Sequence, residues 1–91
     1  MELKWTGRAV SDLARLHEFL ASVIPTAAAR TVQSLTAVAA SLLANPRIGK
    51  RLQEFDPREV RRIIVGQYEL RYEIAAATIY LLRLWHTRED R

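Results

Sequence analysis

The feature that most restricts the fold of this chain is a single change of hydrophobic period near residue 58. Upstream, Leu13, Leu16, Leu20 and Ile24 recur at steps of three and four, widened by Phe19 and Val23. That spacing marks one face of a helix. Downstream, "YELRYEI" alternates, with Tyr68, Leu70, Tyr72 and Ile74 on one face and Glu69, Arg71 and Glu73 on the other. That is the two-residue period of a strand. A chain that switches once from helix to strand predicts an α+β fold with segregated layers.

Local signals fill in the order. "ELKW" reads as a short opening strand, and Thr6 as the cap of the first helix, because its oxygen can accept an orphan N–H of the first turn. Pro25 ends that helix, since proline biases the preceding residue away from α and cannot donate. Thr26 is expected to cap a second helix, "AAARTVQSLTAVAASLLA", with Ala28, Val32, Leu35, Ala39 and Leu42 on one face. Asn45 and Pro46 stop it. So short a junction predicts an antiparallel helical hairpin. Residues 46–59 form a loop with a brief strand at "GKRLQ", followed by a strand at "VRRIIV" and a tight turn at Gly66–Gln67. "AAA" has poor turn chemistry, but its place between two strand patterns forces a hairpin. "TIYLLRLWH" is nearly continuously apolar, which predicts a central strand.

The expected architecture is therefore β-α-α-β-β-β in one domain spanning residues 1–91, a helical hairpin packed on one face of a small antiparallel sheet. If Tyr68, Leu70, Tyr72 and Ile74 meet the helices, the opposite face is left uncovered and becomes the natural binding surface.

Composition narrows the function. There is no cysteine, so neither a disulfide framework nor a thiolate site is available. "MELKWTGR" has no leader-like apolar stretch, and no segment approaches the ~20 apolar residues of a membrane span. The expected location is cytoplasmic, without membrane partners. Net charge is +4, and residues 46–91 hold ten basic against seven acidic side chains. Twelve of the fourteen basic groups are arginine, the planar cation suited to phosphate and carboxylate. An anionic partner, nucleic acid or an acidic protein segment, competes with a plain solvated surface.

Most chemistries are absent. His17 and His86 are the only histidines and have no ligand spacing, so no metal or other cofactor is expected. The serines fall in helical stretches without a nucleophile elbow, and Gly7, Gly49 and Gly66 never cluster as a phosphate loop. The pairs Glu89–Asp90 and Asp56–Glu59 read as solvated charge. The arginines carry more information. Strict alternation of the last strand puts Tyr80, Leu82, Leu84 and His86 on one face and Ile79, Leu81, Arg83 and Trp85 on the other. Arg83 resists unpaired burial, so it joins Arg71 on the open face, with Trp85 as an aromatic beside cations. Arg71, Arg83, Trp85 and Arg51 are the candidate binding set. The competing reading is mutual neutralisation by Glu69 and Glu73. His86, beside Arg88 at a strand end, suits general acid–base work or a structural hydrogen bond.

Taken together, "WTGRAVSDL", the Ala-rich helix ending "LLANPRIG", "REVRRIIVGQYELRYEI" and "LRLWHTREDR" resemble the RelE/ParE toxin superfamily over about residues 4–91. The resemblance implies the toxin of a type II toxin–antitoxin pair, of plasmid-stabilisation type, neutralised by a cognate antitoxin. The assembly is then a homodimer or a toxin–antitoxin hetero-oligomer, and the uncovered sheet is where an acidic antitoxin segment is expected. RelE-like members are ribosome-dependent mRNA endonucleases (mRNA interferases), which implies His86, Arg88, Arg61 and Arg62 as the catalytic set here. Arg88 matches their C-terminal arginine, and Arg61 and Arg62 stand for their paired lysines. The usual arginine after the strand tyrosine is Glu69, and no tyrosine follows Arg88. ParE-like members lack that set and are associated with inhibition of DNA gyrase. The missing elements favour the ParE-like expectation over the ribosome and mRNA; a non-toxic antitoxin-binding module is the third reading.

Overall fold

The computed structural model describes residues 1–88; the acid pair Glu89–Asp90 lies outside the described residues. The chain runs β1 (Glu2–Trp5), α1 (Gly7–Val23), α2 (Pro25–Ser41), β2 (Lys50–Arg51), β3 (Glu59–Val65), β4 (Tyr68–Ala75) and β5 (Thr78–His86), with a 3-10 turn at Gln53–Phe55. One sheet of order β1-β5-β4-β3-β2 carries the helical hairpin. This is the expected α+β arrangement, with β5 inside the sheet. The β1–β5 pair is parallel, whereas the other pairs are antiparallel. The sequence pattern did not reveal that parallel pair, because it depends on the long return of the chain.

The core lies between the sheet and the hairpin. Leu70, Tyr72 and Ile74 from β4, Ile79, Leu81 and Leu84 from β5, and Ala9, Leu35, Ala39 and Leu42 from the helical half are buried together. Alanines at the contact let the backbones approach closely. Thr6 caps α1 by accepting the Ala9 N–H at 3.2 Å and donates its own hydroxyl proton to the Leu81 carbonyl at 2.7 Å. A single residue therefore fixes both the start of the helix and its tether to the sheet.

The start of α2 differs from expectation. Ile24, not Thr26, holds the cap position, without a side-chain hydrogen bond, and Pro25 opens the helix. Proline fits there because the first helical N–H has no intrahelical acceptor to lose.

A β-bulge corrects the phase of β5. Arg71 pairs with Arg83 but Tyr72 pairs with Leu81, leaving Leu82 as the extra residue. Ile79 and Leu81 therefore face the helices before the bulge, and Leu84 and His86 after it. Strict alternation had put Ile79 and Leu81 on the face of Arg83 and Trp85. Hydrophobicity does not mark the bulge, since Leu81 and Leu82 are identical in the pattern.

The second hairpin turn consists of Ala76 (φ 51°) and Ala77 (φ 59°) between the paired Ala75 and Thr78. Two consecutive left-handed residues match the twist of a two-residue hairpin, and here alanine rather than glycine adopts them. Gly49, in contrast, has no room for a side chain. An added Cβ would sit 2.6 Å from the Tyr72 hydroxyl and 2.7 Å from the Arg62 carbonyl. That hydroxyl accepts the Gly49 N–H at 2.9 Å and donates to the Pro46 carbonyl at 2.7 Å, pinning the loop that leads into β2.

Candidate functional site: a row of cations across the sheet

The sheet face turned away from the helices is not bare, contrary to expectation. Leu52 and Phe55 fold back over it: the Leu52 N–H binds the Val60 carbonyl at 2.8 Å, Leu52 is buried and Phe55 half-buried. Phe55 lies under Arg71, 5.6 Å from ring centre to guanidinium carbon. Arg58 reaches across to Glu73 at 2.7 Å. The loop that the sequence pattern read as a connector is a partial lid.

What this face presents is a transverse row of basic residues. Lys50 stands opposite Arg62, Arg62 opposite Arg71, and Arg71 opposite Arg83. Like charges placed directly across a ladder repel. Two carboxylates offset the repulsion from beneath. Glu69 is fully buried, 2.8 Å from Arg71 and 3.5 Å from Arg62. Asp12, on α1, takes Arg83 Nε at 2.8 Å and Nη2 at 3.2 Å. Burial alone would raise the Asp12 carboxyl, but the Arg83 and Leu84 hydrogen bonds with the Arg83 and Arg15 charges outweigh it and hold the group below its ordinary value.

The expected binding set is partly gathered. Trp85 lies between two guanidiniums, 4.9 Å from Arg71 and 5.2 Å from Arg83, and is only 6% exposed. It is therefore a buried platform for the protein's own cations and does not offer a face to a ligand, as its sequence position had suggested. Arg51 pairs with Asp56 at 2.9 Å and borders the same shallow hollow as Arg62 and Arg71. The neutralisation reading holds for Arg71 with Glu69, whereas Arg83 pairs with Asp12 and Glu73 with Arg58.

The expected catalytic set is scattered. Arg61 and Arg62 are sequence neighbours on a strand, so they project to opposite faces. Arg61 bonds Glu59 at 2.9 Å and the Gly49 carbonyl at 2.7 Å, staples of the loop before β3. Glu59 is held below its ordinary range chiefly by Arg47, with Arg61 adding to it. His86 is four residues along and two strands across from Arg61, roughly 15 Å by strand geometry. Its Nδ1 accepts the Arg88 backbone N–H at 3.1 Å and its Nε2 meets Gln67 Oε1 at 3.0 Å, so the neutral ring carries its proton on Nε2. Tyr68 packs edge-on against it at 5.3 Å.

His86 and Arg88 instead border a different feature, a cleft of about 440 Å³ walled by Arg15, Leu16, Phe19 and Tyr68. Beside it, Phe19, Val23 and Ile24 are 63%, 58% and 52% exposed. The helical stripe therefore continues past the sheet it was expected to meet. Among the described residues no three His, Cys, Asp or Glu side chains gather as a metal site, and no helix is long and apolar enough to cross a membrane.

Fold and charge layout define the class: a helical-hairpin-on-sheet α+β domain with a basic β-surface on one side and an exposed apolar stripe on the other. The family model of the ParE toxin of type II toxin–antitoxin systems, parDE, matches residues 3–91. Toxin RelE2 of Caulobacter vibrioides is 32% identical over 85 residues, 93% of each chain. A solved structure of the chromosomal ParDE TA system from P. aeruginosa has the same fold, with a TM-score of 0.80 at 24% identity over 94% of this chain and 95% of that one. The chain belongs to the ParE toxin family, within the RelE/ParE superfamily.

Proposed function

We propose that this toxin acts in the cytoplasm on DNA gyrase and does not cleave mRNA. The single observation that carries this reading is the scattering of the would-be nuclease residues. Cleavage at a phosphodiester needs a base, a proton donor and charge stabilisation within reach of one phosphate. Arg61 and Arg62 lie on opposite faces, and Arg61 is spent on loop carbonyls. Arginine is in any case no general base, because it stays protonated. Both His86 nitrogens are engaged within the chain.

The cognate antitoxin is a protein, and protein partners cover exposed apolar surface. Phe19, Val23 and Ile24, next to the cleft rimmed by Arg15, His86 and Arg88, suit an amphipathic acidic segment. This moves the docking surface from the sheet face, where it was first expected, to the helical side.

The test uses purified toxin in two parallel assays. Inhibition of gyrase supercoiling, relieved by the antitoxin, with ribosome-bound mRNA left uncut, is the expected pair. Cut mRNA with unimpaired supercoiling gives the RelE-like reading instead. Failure of the induced toxin to arrest growth leaves the non-toxic module.

A further inference from the structure

We infer that the cation row on the sheet binds the phosphate backbone of double-stranded DNA directly. The row is a liability for folding, since three successive strand pairs set like charges face to face. Lys50, Arg62, Arg71 and Arg83 occupy one line across four strands. At about 4.8 Å per strand the line is about 14 Å long, the axial rise of about four phosphates on one DNA strand.

The surroundings of the row favour the same ligand. Two shallow hollows of about 480 and 510 Å³ adjoin at Arg71. The first is bordered by Arg8, Arg58, Arg71 and Arg83, with no carboxylate among the described residues that line it. The second adds Lys50, Arg51 and Arg62, with Glu54 as its one acid. Among the described residues, seven basic side chains and one acidic border the two hollows; Arg58 and Arg51 are paired at their rims with Glu73 and Asp56. The acids that stabilise the row, Asp12 and Glu69, are buried, whereas the Arg62, Arg71 and Arg83 side chains stay 37%, 21% and 36% exposed. A polyphosphate backbone supplies repeated charge at matching length.

A duplex fits better than a single strand. Recognition of single strands relies on open aromatic faces for base stacking. Here Trp85 is 6% exposed under Arg71 and Arg83, and the half-buried Phe55 already stacks with Arg71. Binding by this row does not depend on gyrase being the target, so the two proposals fail separately.

The experiment is fluorescence anisotropy of the full-length toxin with a labelled 20-base-pair duplex, titrated with salt. Neutralising about four phosphates gives a slope of log affinity against log salt of about −3 to −4. Lys50→Ala sits on an exposed two-residue strand and should lower the slope by about one. Lys50→Ala with Arg62→Ala should lower it by about two and weaken binding at least tenfold at low salt. Arg30→Ala, on α2, should change nothing. A salt-independent signal, an equal loss in the Arg30 control, or no change in the row variants would overturn the proposal. So would tighter binding of single-stranded RNA, or of polyglutamate at matched charge, which would hand the row to another class of partner.

Discussion

The Asp12 carboxylate accepts the backbone N–H of Leu84 at 2.9 Å, across 72 residues of sequence. β1 pairs with β5 only through Leu81, so among the described residues no strand lies beside the remainder of that edge. Asp12 supplies the missing acceptor from α1 and pairs Arg83 with its other lone pairs. Asp12→Ala removes both partners from a buried position, so a loss of about 3 kcal/mol is expected from urea denaturation at pH 7.

The same carboxylate sets a pH dependence. Its pKa is lowered in the folded protein from an ordinary 3.8. The unfolded chain therefore binds the proton first, and the contribution of Asp12 is complete above that value. It is lost as pH falls below about 4 and through the lowered folded value. Denaturation of wild type against Asp12→Asn checks this: the gap between the two should narrow from pH 6 to pH 2.

Glu69 occupies the position where the resemblance to RelE-like nucleases implied an arginine. Fully buried against Arg71 and Arg62, it holds the like-charge row together. Glu69→Ala should cost about 3 kcal/mol in denaturant unfolding. Glu69→Arg, which restores the nuclease-type residue, should abolish folding rather than confer cleavage.

The β4–β5 turn runs in the opposite direction. Ala76 and Ala77 hold left-handed conformations that cost L-residues about 1 kcal/mol or more each. Ala76→Asn with Ala77→Gly should raise stability by about 1–2 kcal/mol, seen as a rise of several degrees in Tm by scanning calorimetry.

These residues also mark where sequence reading stops. The period change near residue 58 identified the layers, and the alternation of β4 named its buried face correctly. Thr6 was legible because a cap is local chemistry. The phase of β5 was not, since the bulge at Leu82 inserts one leucine among leucines. The Asp12–Arg83 pair was equally hidden, because a helix position 71 residues away carries no periodic signal toward a strand. The lid formed by Leu52 and Phe55 was missed for a related reason: a charged, proline-containing loop gives no sign of which side of the sheet it will cover. The candidate arginines were found as residues, while their register across four strands emerged only from the pairing.

The exposed stripe on α1 gives the antitoxin prediction. Phe19→Asp with Val23→Asp changes side chains that are more than half exposed, so the fold should persist. Affinity for the antitoxin, measured by calorimetry, should fall at least tenfold. Arg71→Glu and Arg83→Glu would instead set new carboxylates beside Glu69 and Asp12, and their effect should appear in stability first.

The choice of target is decided most directly in cells, by plasmid topology after induction of the His86→Ala toxin. Growth arrest with a shift of the reporter plasmid toward relaxed or cleaved forms, equal to that of the wild type, is the expected result. Loss of killing on removal of this one imidazole, with wild-type induction leaving supercoiling intact and messages cut, would contradict it.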